Sequence, residues 1–286
     1  MKAVNELRKV LIRHLPRRHF SRLLLRWSRI HLPGPLTRLQ NEAFARLVRL
    51  DVSEAEWQVS HYPTLNAFFT RRLQPDARPV DPDPASVVFP CDGRLGAFGP
   101  IQGHTLIQAK GIDYRLDQLL LDDDLSGIFA DGHFFTIYLS PKDYHRVHFP
   151  VAGTVVRYRH IPGHSGTSYP VGRFCMTNID KLYCRNERLI SLVETPHGRV
   201  AVVLVAATGV GNMTLSYLPT HFPQKTRLTD HGQAVRVLVG KGDECGIFHM
   251  GSTVILLFEK GPWDFARLDE GRCVRMGRPM GAVPAK

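Results

Sequence analysis

The sequence predicts an α+β fold, a mostly antiparallel β core preceded by a basic amphipathic helical region. Three observations predict it. After about residue 73, short β-prone runs are separated by Gly and Pro, at the spacing of an antiparallel sheet. No βαβ alternation, GxGxxG or Walker loop occurs, which disfavours the nucleotide-cofactor folds. The charge is also uneven. Residues 1–50 hold 12 Lys or Arg against Glu6 and Glu42, while the remainder holds 25 bases against 24 acids, within a net charge of +11. At 286 residues, 43% hydrophobic and 22% charged, the chain can bury a sizeable core and is not disordered as a whole.

The helical region comes first, over residues 1–60. Leu7, Val10, Leu11 and Leu15 fall on one helical face, with Arg8, Lys9 and Arg13 elsewhere, and Pro16 interrupts. A second helix over 20–30 sets Phe20, Leu23, Leu24, Trp27 and Ile30 in one stripe between Arg22, Arg26 and Arg29. Pro33-Gly34-Pro35 is a break. A third helix over 35–50 has Leu36, Leu39, Phe44, Leu47 and Leu50 as its apolar positions. Basic helices carrying Trp, Phe and Leu suit an interfacial membrane anchor, where each Lys or Arg near an anionic surface adds about 1 kcal/mol. A plain helical cap with solvated arginines is the alternative. Nucleic acid is not expected as a partner, because no binding motif accompanies the charge. No apolar run reaches the 18 or so residues of a membrane span. The longest near the N-terminus, Leu23 to Leu25, is too short for a cleaved secretory signal.

The β-rich domain spans 61–286. It opens with a helical segment over 64–73 and continues with strands over 86–89, 134–139, 153–161, 189–194, 200–207, 234–239 and 253–258. Asp122-Asp123-Asp124 reads as a solvated turn. The five cysteines, Cys91, Cys175, Cys184, Cys245 and Cys273, are odd in number and form no CxxC. That predicts reduced thiols of a cytosolic compartment, and neither a disulfide framework nor a zinc site.

Three short stretches can carry chemistry. Pro90-Cys91-Asp92-Gly93 follows an apolar strand and is by itself a turn signal. In Ser140-Pro141-Lys142-Asp143-Tyr144-His145-Arg146-Val147-His148-Phe149-Pro150, Ser140 can cap a helical turn that delivers His145 and His148 at i and i+3. No third ligand sits nearby, so no metal is expected. His249-Met250-Gly251-Ser252-Thr253 enters the last long strand. A serine after glycine can attack the preceding carbonyl through a five-membered ring, converting the peptide to an ester. That chemistry needs a base for the hydroxyl proton and a group to orient the base.

Together these stretches give the chain a family resemblance. With Phe68-Phe69-Thr70-Arg71, His160-Ile161-Pro162-Gly163 and Asn186-Glu187-Arg188, and in this order, it resembles the bacterial phosphatidylserine decarboxylase proenzymes over about residues 35–262. It departs from their pattern at Met250, where Leu is usual and the swap conserves volume, and in a 163–172 stretch rich in Gly and Ser.

The resemblance implies self-processing. Asp92 orients His148, His148 deprotonates Ser252, and Ser252 attacks the Gly251 carbonyl. β-Elimination cuts the chain into a β chain (1–251) and an α chain (252–286), which stay together as a heterodimer, and Ser252 becomes a covalent pyruvoyl (pyruvate) cofactor. That ketone forms a Schiff base with the substrate amine and draws electrons as CO2 leaves. The first histidine, His145, belongs by resemblance to the decarboxylation step, and Phe68, Phe69 and Arg71 to substrate binding. The expected partners are phosphatidylserine and an anionic membrane surface, and the expected location is the cytoplasmic face of the cell membrane, peripherally bound. Two alternatives remain at this point, a pyruvoyl-dependent decarboxylase of a soluble amino acid and a non-enzymatic membrane-binding module. A serine hydrolase is disfavoured, because no Gly-x-Ser-x-Gly elbow is present.

Overall fold

A computed structural model describes residues 17–109, 112–163, 168–207, 213–218, 233–249 and 252–284. The predicted first helix and the Met250-Gly251 pair lie outside the described residues. Helices α1 (Arg17–Ser28) and α2 (Gly34–Val48) come first, then a 3-10 turn (Val59–His61) and the short helix α3 (Leu65–Phe69). Strands β1 (Ser86–Val88), β2 (Gly93–Pro100), β3 (Thr105–Ala109) and β4 (Ile112–Arg115) lead to helices α4 (Leu116–Leu120) and α5 (Asp123–Phe129). Next are β5 (His133–Leu139), β6 (Arg146–His148) and β7 (Gly153–Ile161), then helices α6 (Arg173–Met176) and α7 (Leu182–Arg185). The remaining strands are β8 (Arg188–Thr195), β9 (Gly198–Ala206), β10 (Met213–Leu215), β11 (Gln233–Val239), β12 (Glu244–Phe248), β13 (Ser252–Phe258), β14 (Asp264–Phe265), β15 (Cys273–Val274) and β16 (Pro279–Ala282).

The main sheet has eight strands in the order β11-β7-β8-β9-β13-β5-β2-β15, with antiparallel neighbours throughout. β13 is interior. Every residue from Ser252 to Phe258 pairs on one side with β5 and on the other with β9. Its Val-Ile-Leu-Leu-Phe run is fully buried, as is most of β9, so both sheet faces are covered, and a continuous apolar run in place of an alternating one is what that burial selects. A second antiparallel sheet, β10-β12-β6, packs against the first. Gly246 of β12 permits the approach, since a Cβ there would come within 3.1 Å of Leu204 Cδ2 on β9.

On the helical side, fully buried Arg188 serves as a polar staple. It donates to the carbonyls of Leu119, Cys184 and Asn186, and burial lowers its pKa to about 10. Asp122 corrects the expectation of a solvated turn. Its carboxylate caps α5 by accepting from Leu125 N at 3.0 Å. It also pairs with Arg157 at 2.8 Å and Arg159 at 3.0 Å, with its own side chain only 10% exposed. Asp122 therefore ties α5 to β7.

In α2 the buried positions are Thr37, Asn41 and Ala45, while Leu36, Leu39 and Leu47 face outward, Leu47 at 83% exposure. Leu23, Trp27 and Ile30 are exposed as well. Phe44 lies edge-on to Phe68 and Phe69. Ala45, Leu50, Tyr62, Leu65 and Phe68 form a small core of their own, joining α2 to α3.

Candidate active site

Ser252 opens the interior strand, its backbone set between Leu139 of β5 and Ala206 of β9. The other stretches singled out in the sequence gather at this end of the sheet. Asp92 precedes β2, whose Arg94 pairs with Tyr138, and Tyr138 pairs with Thr253. Arg188 pairs with both Ile161 and Val205. Asn186 donates to Ala206 O at 2.8 Å, and Ala206 N donates to Glu187 O. His160 Nε2 lies 2.7 Å from Glu187 Oε1.

The two histidines are delivered differently from the helical turn the sequence suggested. Asp143 Oδ2 accepts from both Ser140 N and Ser140 Oγ at 2.7 Å, so the donors of Ser140 close a turn instead of capping a helix. Residues 146–148 then run extended as β6, paired with β12. In a strand, i and i+3 point to opposite faces, and the rings separate accordingly.

His145 is fully buried and stacks on Phe69 at 4.0 Å between ring centroids. Its Nε2 faces Ser140 O at 3.1 Å. A carbonyl only accepts, so Nε2 carries the proton and Nδ1 the lone pair. Nδ1 is buried and has no partner. Burial, then the nearby Arg71 charge, pushes this imidazole down to about 3, so it is neutral at ordinary pH.

His148 Nδ1 lies 2.7 Å from Gly242 O and is therefore the protonated nitrogen, which leaves the lone pair on Nε2. Tyr144 Oη stands 3.2 Å from Nε2. Burial lowers the His148 pKa and pushes that of Tyr144 up to about 12. His148 is thus a neutral base with its tautomer fixed by a backbone carbonyl.

Asp92 is buried, which sets aside a solvated-turn role. The sequence reading has Asp92 orienting His148. In this arrangement a direct bond is not made, and hydrogen-bond capacity explains why. Oδ1 accepts from Arg78 Nε at 2.8 Å and Met276 N at 2.9 Å. Oδ2 accepts from Arg78 Nε at 2.9 Å and Arg78 Nη2 at 2.5 Å. Those four contacts use the lone pairs a carboxylate offers. Arg78 is held in turn by Glu54 at 2.7 Å.

The Phe68-Phe69-Thr70-Arg71 stretch divides its roles. Phe68 is fully buried beside Phe44 and Tyr62 and anchors α3. Phe69 supports His145. Arg71 is buried, donates from Nη2 to Lys142 O at 3.1 Å, and keeps Nε and Nη1 without partners. It lines a cavity of about 460 Å³ with Arg78, Asp92, Ser140, Lys142 and Tyr144, reaching Arg49 at the end of α2. Buried, unpaired guanidinium donors suit an anion.

Comparison with known proteins agrees with this constellation. The model of the family described as phosphatidylserine decarboxylase matches residues 65–282. The chain belongs to the phosphatidylserine decarboxylase family. It is 41% identical over 277 residues to the phosphatidylserine decarboxylase proenzyme of Myxococcus xanthus, covering 96% of this chain and 97% of that one. It is 43% identical over 271 residues to that of Halorhodospira halophila, covering 94% and 91%. Members of this family are lyases, and the residues gathered around Ser252 are the candidates for their chemistry here. Sequence reasoning missed Arg78 and Gly242. Arg78 carried no motif signal of its own. Gly242 acts through its carbonyl, which no residue type announces.

Proposed function

We propose that this chain is a phosphatidylserine decarboxylase that makes its own pyruvoyl group by cutting itself between Gly251 and Ser252. The observation that carries the reading is the placement of a Gly-Ser serine at the head of the interior strand, with the family's motif stretches around that end. Ser252 Oγ adds to the Gly251 carbonyl, the peptide C–N bond breaks, and the hydroxyl proton passes through His148 to the Ser252 nitrogen. The resulting ester undergoes β-elimination, releasing the Gly251 carboxylate. Water then replaces the nitrogen of the dehydroalanine, ammonia leaves, and the pyruvoyl group remains.

The side chains supply the rest. The Gly242 carbonyl fixes the His148 tautomer so that Nε2 accepts the Ser252 proton, with Tyr144 Oη giving up its place there. Asp92 lends negative charge that stabilises the imidazolium. The site also fits the pyruvoyl group. Its backbone is fixed within the sheet, and the unpaired, neutral Nδ1 of His145 is buried beside the turn that follows Leu139, the partner of Ser252. When formed, that ketone supplies the electrophile for the substrate amine and the sink for electrons as CO2 departs. Arg71 binds an anionic group of the substrate, with Phe69 walling the same side. His145, neutral with its lone pair on Nδ1, accepts a hydrogen bond there during the decarboxylation step.

The substrate lies in a bilayer, so the protein must come to it. The outward leucines of α2, with Leu23, Trp27 and Ile30 and the surrounding arginines, form an apolar, cationic face for anionic lipid. Peripheral attachment at the cytoplasmic face of the cell membrane is part of this proposal. No helix among the described residues is long and apolar enough to cross a membrane.

A denaturing gel tests the reading. The unsubstituted chain should run as two pieces and release CO2 from phosphatidylserine vesicles, while Ser252→Ala should stay whole and inactive. A Ser252→Ala chain that still splits would overturn it.

A further inference from the structure

Asn66 is the second residue of α3, and Thr64 caps that helix by accepting from Ala67 N. The helix is pinned on one side by Phe68 in the small core and on the other by Phe69 against His145. From this fixed base the Asn66 side chain grips one residue at two points. Nδ2 donates to the backbone carbonyl of His249 at 2.9 Å. Oδ1 lies 3.2 Å from His249 Nδ1. An amide oxygen only accepts, so His249 Nδ1 carries the proton, and Nε2, 3.4 Å from Thr214 Oγ1, is the acceptor. Both ends of one primary amide are therefore used, one on the backbone and one on the ring.

His249 stands two residues before Gly251, so chain geometry keeps the proposed scissile peptide within about 7 Å of it. Attack through a five-membered ring needs the serine oxygen and the carbonyl carbon near 3 Å with the correct approach. A displacement of about 1 Å costs on the order of 100-fold in rate. We infer that Asn66 is a positioning residue for self-cleavage. It holds the chain at His249 so that the Gly251 carbonyl is presented to Ser252. The inference rests on the cut proposed above, and it gives the α3 segment a second task beside the support of His145.

Asn66→Asp is the decisive variant, because it keeps size and shape. The aspartate still accepts from His249 Nδ1 but, when ionised, has no hydrogen to donate to the His249 carbonyl. Pulse-chase of newly made chains, read on denaturing gels, should show splitting slowed about 10- to 100-fold near pH 8. The ratio of its rate to the unsubstituted rate should recover several-fold as the pH is brought toward about 5, where the carboxyl regains a proton and can donate again. The thermal midpoint of Asn66→Asp in a Ser252→Ala background should fall by only a few degrees from that of Ser252→Ala alone, so the variant chain is still folded where its splitting is slowed. Splitting at the unsubstituted rate would overturn the inference. So would a slowed rate whose ratio does not move with pH, which would mark Asn66 as merely structural. Ser252→Ala, run alongside, keeps the two ideas apart. If it also splits, the cleavage reading fails and this inference with it. If it stays whole while Asn66→Asp splits normally, only Asn66 loses its role.

Discussion

The two histidines are held neutral by burial, and that has a measurable consequence. A histidine whose folded pKa is depressed leaves the unfolded chain binding the extra proton as the pH drops. Its contribution to stability is then fully present above about 6.5 and lost as the pH falls toward the folded value. For His145 that window runs from about 6.5 down to about 3, and the loss is on the order of a few kcal/mol. Urea unfolding across this range should show a steep acid-side decline, flattened in His145→Gln. For His148 the lowered pKa keeps the base unprotonated below the usual histidine range. Cleavage should accordingly hold its rate from pH 8 down to about 6.5 and reach its half-maximum lower still. Arg78 and Asp92 are nearly buried, and removing one member of such a pair costs about 3–5 kcal/mol. Arg78→Met in a Ser252→Ala background should show that loss in urea. The residue types that do covalent or acid–base work were legible in the sequence, because serine after glycine and the histidine pair state their chemistry. Their partners were not. Asp92 turns to Arg78 because an arginine brought close by the fold outcompetes an imidazole already satisfied by Gly242. The rings of His145 and His148 diverge because pairing with β12 overrode the helical turn that Ser140 and Pro141 suggested.

Among the elements, β13 carries the account of how a cut protein stays whole. All seven of its residues are paired with a neighbour strand on both sides, and β16 pairs with β1 and β15 with β2. A break before Ser252 therefore leaves residues 252–286 woven into strands of the other piece. The two pieces should co-elute on a sizing column in buffer and separate only in denaturant. Leu256 is fully buried, and Leu256→Ala should cost about 2–5 kcal/mol in urea unfolding. The strands with continuous apolar runs, over 134–139, 189–194, 200–207 and 253–258, were readable because burial on both faces selects such runs. β2 was not, since Gly93, Gly96 and Gly99 remove the apolar signal and its pairing with β5 decides the conformation. Within the acidic run at 122–124, Asp122 was misread because the arginines that claim it lie on a distant strand, while Asp123 and Asp124 are exposed.

For the molecule as a whole, the charge map divides the work, with a nearly neutral sheet body and a basic arm whose Leu23, Leu36, Leu39 and Leu47 face outward. The sequence showed which residues were apolar in α2. It could not show that Thr37, Asn41 and Ala45 would take the inner face and leave the leucines outside, because helical periodicity marks a stripe and not the side it faces. Replacing Leu36, Leu39 and Leu47 with Gln should abolish sedimentation with anionic liposomes while self-cleavage continues. Sedimentation that persists would remove the docking role from α2. The central claim is that the chain cuts itself at one bond and keeps the product as its reactive group. The most direct test is the intact mass of the purified protein under denaturing conditions. The account predicts two chains divided between Gly251 and Ser252, the smaller beginning with a pyruvoyl group in place of serine. A single uncut chain, or a smaller chain beginning with an unmodified serine, would contradict it.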